Sequence, residues 1–413
     1  MQAKVFDRFN IIVFICGFAL IAVGLLAIYS ATYANEQVAD NFSKQLISAA
    51  IGIIIVLAIM YTPPKYLAMS SYVLYGLVIL MLIAVLFLGK RIKGQTSWFN
   101  FAGFGIQPSE FAKVATVVAL SYFLSNKQQE ADVTRLRDFA LAIGFCVLPV
   151  ALIMLQPDMG TSLVFIVLVL PMLYWAGLPN YVLFIIVAPV ICAIGAFLGT
   201  WFFVGAVIIV LLGLMLFKKN ILVSTIVLCV CIMAGLSVNM VYSKLQPYQQ
   251  RRIMAMFNPE SDPLGSGYNV IQSKIAIGSG GLAGKGFLQG TQTQLKYIPE
   301  QWTDFIFCMV GEEFGFIGSM AVVLLFFVLI WQTIQIAYLC KNQYLSICCI
   351  GFATIFSFHI LINLGMIMGI MPVIGIPLPF MSYGVSFLLS NLIMLGIILN
   401  AYRNRKEYGL INV

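Results

Sequence analysis

Polar positions are sparse along this chain, and where they fall they cut it into twelve apolar blocks. The blocks are residues 9–31, 44–61, 67–88, 110–125, 139–155, 160–176, 181–198, 201–217, 221–241, 305–338, 345–370 and 379–401. Most approach the ~20 residues with which a helix crosses about 30 Å of hydrocarbon. None alternates apolar and polar residues as a membrane β-strand would. The pattern predicts an all-α integral membrane protein, a polytopic helical bundle of about 12 transmembrane helices. One stretch between blocks is long. Residues 242–304 carry Gly278-Ser279-Gly280-Gly281 and Gly284-Lys285-Gly286 and no lasting apolar period, which predicts a long outer loop without its own core. Such a loop commonly serves as a lid or binding element. With no internal repeat, residues 1–413 read as a single membrane domain.

Composition narrows the class further. The chain is 62% hydrophobic and 9% charged, where soluble domains carry roughly 25% charge. That excludes a cytosolic enzyme, a secreted disulfide scaffold and a disordered chain. The nine cysteines lie almost wholly inside apolar blocks, without zinc spacing, and read as free buried thiols. His359 is the sole histidine and assembles no metal cluster by itself. Residues Tyr29 to Ala34 imitate a signal-peptide cleavage site, but eleven further blocks favour an uncleaved signal-anchor. The formal net charge of +8 comes from lysines and arginines scattered through short loops, not from a basic stripe that would bind nucleic acid.

Those charges predict an orientation. With the N-terminus inside, the inner segments collect Lys4, Arg8, Lys65, Lys127, Arg135, Arg137, Lys218, Lys219, Lys341, Arg403, Arg405 and Lys406. The outer short loops hold Lys44 and one exception: Lys90, Arg91 and Lys93 in segment 89–109. Three cations on the wrong side call for a ligand rather than a topological explanation.

Three polar clusters sit at outer block edges, where an ionised side chain is costly unless paired or hydrated. In Gln107-Pro108-Ser109-Glu110-Phe111-Ala112-Lys113, Glu110 suits a helix cap. Lys113 also shares its face three residues on, so the pair could grip a phosphate-bearing head group together with Arg91 and Lys93. Gln156-Pro157-Asp158 opens another helix on the same side, and capping explains Asp158 equally well. Two such starts put two positive dipole ends near one surface. In Pro299-Glu300-Gln301-Trp302-Thr303-Asp304-Phe305-Ile306-Phe307, Asp304 stands at an apolar boundary. It reads either as a cap or as a carboxylate suited to proton transfer. Glu312 and Glu313 lie inside a block, so one must face a cavity or partner, and Trp98 reads as an interface anchor. No Gly-Lys-Ser/Thr ending follows the glycine-rich stretch, so no nucleotide loop is indicated.

These clusters, with Arg251-Arg252, Asn258-Pro259-Glu260-Ser261-Asp262-Pro263, Gln272-Ser273-Lys274-Ile275-Ala276-Ile277-Gly278 and Gly375-Ile376-Pro377-Leu378-Pro379-Phe380-Met381-Ser382-Tyr383-Gly384, recur in order and spacing. By them the chain resembles the SEDS family of bacterial cell-wall polymerases, its RodA branch more than the FtsW division branch. The resemblance implies a peptidoglycan glycosyltransferase that polymerises lipid II on the outer face of the cytoplasmic membrane. It also implies a partner, a class B penicillin-binding protein acting as transpeptidase, within the cell-elongation machinery. The family's essential aspartate matches Asp304 and its functional tryptophan matches Trp98. Trp302 stands where the family commonly has histidine, Val385 where it has a second glycine, and residues 181–241 hold two spans more than the family usually has.

The chemistry so implied needs a base for the acceptor hydroxyl, for which Asp304 is the candidate, and positive charge at the leaving diphosphate. Lys113, Arg91, Lys93, Arg251 and Arg252 are the candidate cations, with Glu300 beside the base, and a divalent cation (Mg or Mn) is admissible. Glu110 and Asp158 either orient Lys113 or hold that metal. A lipid II flippase and a non-catalytic scaffold are the rival functions. The charges crowd on one side, whereas alternating access favours a midplane site between repeats.

Overall fold

The computed structural model describes residues 8–33, 38, 40–92, 95–101, 104–125, 135–217, 221–261, 265–295 and 297–407. Its helices are α1 (Ile11–Tyr33), α2 (Asp40–Tyr61), α3 (Pro64–Met69), α4 (Ser71–Leu88), α5 (Pro108–Ser125), α6 (Leu136–Met154), α7 (Met159–Trp175) and α8 (Asn180–Leu198). They continue with α9 (Thr200–Phe217), α10 (Ile221–Lys244), α11 (Pro247–Phe257), α12 (Ser266–Ser279), α13 (Thr291–Gln294), α14 (Ile306–Leu339), α15 (Gln343–Ile367) and α16 (Val385–Arg403). Each of the twelve apolar blocks is a helix. Among the described residues, ten helices are long and apolar enough to span a membrane, α7 has 17 residues, and α5 is outside that set. The reason for α5 is its content of Glu110, Lys113 and several hydroxyl side chains.

The chain divides into two compact units, residues 1–176 with 255–413, and residues 177–254. In the second unit α8 packs on α9 and α10 around Ala188, Cys192, Ala206, Val210 and Cys231. In the first, α15 and α16 occupy the centre. There 78% of the residues in each apolar window are buried, against 22% in α4 and α6. Lipid is as apolar as leucine, so the outer helices turn Leu, Ile and Phe outwards while Ser, Asn, His and charged residues concentrate inside. Asn400 of α16 shows what such a residue does. Its amide donates to the carbonyls of Ile59 (2.8 Å) and Thr62 (2.6 Å) at the end of α2.

Three details depart from the sequence expectation. Segment 89–109 forms a small antiparallel sheet, β1 (Lys90–Ile92), β2 (Gln95–Phe101) and β3 (Phe104–Ile106), in the order β1-β2-β3. Its aromatic and β-branched residues suit a pleated surface. The last helix starts at Val385, not 379, because Pro372, Pro377 and Pro379 keep residues 372–378 out of a helix and residues 379–382 form a turn. The long loop between the ninth and tenth apolar blocks is not irregular coil: α11, α12 and α13 all lie in it.

Its glycine-rich part has a structural task. Helix α14 is broken at Gly315 (φ 64°), and residues 281–286 lie in the gap. Lys285 and Gly286 donate backbone N–H groups to the carbonyls of Glu312 and Glu313 (both 3.0 Å), while Phe316 and Ile317 donate to Gly281 (2.9 Å) and Leu282 (3.1 Å). The segment thereby satisfies helix groups that a break would orphan inside a membrane protein. Gly284 (φ 84°) permits this approach, since a Cβ there would stand 2.1 Å from the Glu313 oxygen. Glu312 and Glu313 are both buried. Glu312 accepts from Lys285 Nζ (2.7 Å) and from the backbone of Gln292 (2.9 Å) and Thr293 (3.0 Å) at the start of α13. Glu313 accepts from the Ser30 hydroxyl of α1.

All nine cysteines are free; Cys340 is half-buried, Cys229 exposed and the other seven buried.

Candidate active site

The turn Glu300–Phe305 leads into α14, with Glu300 in the left-handed region (φ 54°). Its carbonyl accepts from the Thr303 amide (3.1 Å) and hydroxyl (3.2 Å), which closes the turn and presents Asp304. The residue that caps α14 is Phe305, without a side-chain bond, so Asp304 is not the N-cap. Asp304 is half-buried, whereas Glu110, Asp158, Glu312 and Glu313 are buried. Of these carboxylates it is the one a substrate could reach.

The proline-rich segment 371–384 holds that turn. Ser382 Oγ donates to the Thr303 carbonyl (2.6 Å) and accepts from the Leu378 amide (2.8 Å). The Tyr383 amide donates to the Trp302 carbonyl (2.9 Å). Gln45 of α2 bridges the same segment, donating to Ser382 O (3.2 Å) and accepting from the Gly384 amide (3.1 Å). Burial and the nearby Asp40 carboxylate push the Tyr383 phenol above its ordinary range.

Gly375 (φ 74°) faces the carboxylate directly: a Cβ there would stand 3.2 Å from Asp304 Oδ2. Gly375→Ala combines a left-handed backbone with pressure on that oxygen. Activity is expected to fall about tenfold, more than a melting-temperature change would explain, because small displacements of a reacting group are costly. Equal activity in wild type and variant would refute the contact's importance.

Around this segment the starts of four helices meet. The Gln107 side chain donates to Asp158 Oδ2 (3.2 Å), joining the start of α5 to that of α7. Its backbone N–H donates to Ser386 Oγ (3.0 Å) in the first turn of α16. Asp158 caps α7, accepting from the Thr161 amide (3.1 Å) and hydroxyl (2.8 Å). Close by, a Cβ on Gly160 would stand 3.0 Å from Ile374 O, one residue from Gly375. The Asp304 turn brings in α14. The starts of α5, α7, α14 and α16 are thus linked to one another through this segment.

Glu110 is in the first turn of α5 and Lys113 lies one turn deeper. Lys113 is 1% exposed; its ammonium is 2.8 Å from Glu110 Oε2 and 3.2 Å from His359 Nε2, and lies 5.4 Å from the Phe387 ring centroid. Glu110 also accepts from Ser390 (3.4 Å), so its carboxylate answers side chains rather than free helix amides. Trp98 is half-buried in β2, opposite Lys90. A Cβ on Gly105 would stand 3.1 Å from its indole, and the Gly105 carbonyl accepts from Ser386 (3.2 Å), which ties the sheet to the start of α16. Of Arg91 the backbone alone is described, in β1, and Lys93 lies outside the described residues. Arg251 and Arg252 stand on α11 in the second unit. Arg251 Nε donates to Pro247 O (3.4 Å), and the Arg252 guanidinium is 5.8 Å from the Tyr248 ring centroid.

Among the described residues no group of three or more His, Cys, Asp or Glu side chains could hold a metal ion. His359, Asn363, Ser382 and Gln45 were missed as participants by the sequence reading. Their signal was present, since polar side chains within apolar blocks rarely stand idle.

Fold and site together define a multi-pass helical membrane protein with a reachable carboxylate at one end of its bundle. The chain belongs to the FtsW/RodA/SpoVE family, described as cell cycle protein, whose model matches residues 10–205 and 181–407. It is 32% identical to peptidoglycan glycosyltransferase RodA of Treponema pallidum (strain Nichols), over 97% of this chain and 99% of that one. It is 35% identical to stage V sporulation protein E of Bacillus subtilis (strain 168), over 93% and 94%. Among solved structures it resembles a chain described under the structural coordination of polymerization and crosslinking by a peptidoglycan synthase complex. The TM-score is 0.71 at 28% identity, covering 97% of this chain and 99% of that one.

Proposed function

We propose that the chain is a peptidoglycan glycosyltransferase. In this reading it polymerises lipid II into glycan strands on the outer face of the bacterial cytoplasmic membrane, with both termini in the cytoplasm, and so supports wall elongation and cell shape. The observation that carries it is the half-buried Asp304 at the meeting of four helix N-termini.

The reaction joins an acceptor sugar hydroxyl to the anomeric carbon of a donor. Asp304 takes the hydroxyl proton as the oxygen bonds to that carbon, a contribution of about 10²–10⁴ in rate for a placed base. The bond from the anomeric carbon to the diphosphate breaks, and the lipid diphosphate leaves with the electron pair. Fixed positive charge near the departing oxygens stabilises them without reorganising. Arg91, Lys93, Arg251 and Arg252 are the proposed cationic contacts, and Lys113 adds charge from behind. Asp158 holds the start of α7, Glu110 holds Lys113, Glu300 shapes the turn, and Trp98 offers an apolar face beside the start of α16. The resemblance to a chain of a complex that coordinates polymerisation with crosslinking supports a class B penicillin-binding protein as partner.

The test uses the purified full-length protein in liposomes with labelled lipid II and its penicillin-binding partner. Glycan ladders on a gel are the expected result. Head-group translocation without polymer would instead mark a flippase, and neither would mark a scaffold.

A further inference from the structure

His359 and Asn363 lie four residues apart on α15, so they share one face. They are 2% and 0% exposed. Van der Waals packing at this depth would be served by leucine, and a polar side chain there is costly unless its groups are matched. The Asn363 amide nitrogen donates to the carbonyls of Asp304 (2.8 Å) and Ile376 (2.7 Å). Both partners accept only, which fixes the amide's orientation. His359 Nδ1 lies 3.0 Å from Pro377 O and Nε2 lies 3.2 Å from Lys113 Nζ. An ammonium has only protons to give, so Nε2 accepts and Nδ1–H donates to the carbonyl; the partners assign one neutral tautomer. The three carbonyls thus held belong to Asp304 and to the two residues following Gly375, whose Cα faces the Asp304 carboxylate. Behind His359 stands the Lys113–Glu110 pair.

We propose that His359 and Asn363 are positioning residues: they staple the Asp304 turn to the Ile376–Pro377 segment, and the buried Lys113–Glu110 pair sets the His359 tautomer that does so. The inference rests on the reading of Asp304 as the base. It gives the buried pair a purpose other than surface contact with a head group, and it follows from the juxtaposition of three main-chain carbonyls with two side chains of one helix face.

The test compares two isosteres in the full-length protein, with lipid II polymerisation measured at several substrate concentrations. In His359→Asn the amide nitrogen lies about where Nδ1 was and can still donate to Pro377 O. In His359→Gln the amide lies about where Nε2 was and keeps Lys113 but releases the Ile376–Pro377 segment. A small misplacement of a reacting group costs up to about 100-fold. The expectation is therefore that His359→Gln lowers kcat by about tenfold or more with KM within about twofold. His359→Asn should stay within about threefold of wild type. Asn363→Leu, which keeps volume and removes both N–H groups, should behave as His359→Gln does, and it serves if that variant fails to fold. Activities of both His359 variants that simply track melting temperature would overturn the proposal, as would a rise in KM at constant kcat. Asp304→Asn is run alongside. If it stays active, the base reading falls and takes this inference with it; if it is dead while His359→Gln and Asn363→Leu are unimpaired, the positioning role alone falls.

Discussion

Asp304→Asn is expected to abolish glycan polymerisation, by about 10²–10⁴ in rate, while the protein folds and melts as before. The substitution keeps shape and removes the ability to take a proton. Its stability cost is small because Asp304 is half-buried and is not the N-cap of α14. The elements around it are held through main-chain groups: Thr303 O by Ser382, Trp302 O by Tyr383, and Asp304 O by Asn363. None of those bonds needs the carboxylate. Ladder intensity from labelled lipid II and a melting curve in detergent check the two halves of the statement. An Asn variant within about tenfold of wild type would remove the carboxylate from the chemistry.

Glu312→Ala is expected to produce the other large effect, on folding rather than rate. The carboxylate is fully buried and is shared by Lys285, the amides of Gln292 and Thr293, and the Thr291 hydroxyl at 3.2 Å. Removing it leaves Lys285, a quarter exposed, on the Thr291 hydroxyl alone (2.7 Å) and takes the acceptor from the Gln292 and Thr293 amides, of which Thr293 is buried, at a cost of about 1–3 kcal/mol. The segment that bridges the break in α14 hangs on this anchor, so the melting temperature should fall by about 2–4 °C. Glu312→Gln keeps acceptors for the two amides and should lose less. Equal melting of Glu312→Ala and wild type would show that the backbone bonds of residues 281–286 suffice alone.

The twelve apolar blocks were legible because the pattern of a membrane helix is set by its solvent, which every residue feels alike. The pairing of Glu110 with Lys113 was legible from their spacing of three, and so was the cap at Asp158, which depends on the chain within one turn. As a lone imidazole His359 gives no metal site, and nothing near it in sequence shows its partners. Its partners, Lys113 and Pro377, lie 246 and 18 residues away. The glycine-rich stretch suggests a lid or binding element, whereas residues 281–286 fill a gap in α14 that no local pattern announces. Asn363 gave no local sign of what it would hold.

From its sequence alone the chain was committed to a membrane, to helices, and to a small set of polar side chains that had to find one another. Which of them meet was decided by packing. The segment 371–384 runs back across the starts of α5, α7, α14 and α16, and its carbonyls and hydroxyls are satisfied there by Gln45, Asn363, His359 and the Asp304 turn. Buried hydrogen bonds between residues far apart in sequence have no periodicity to read; they exist only once the helices that carry them stand side by side.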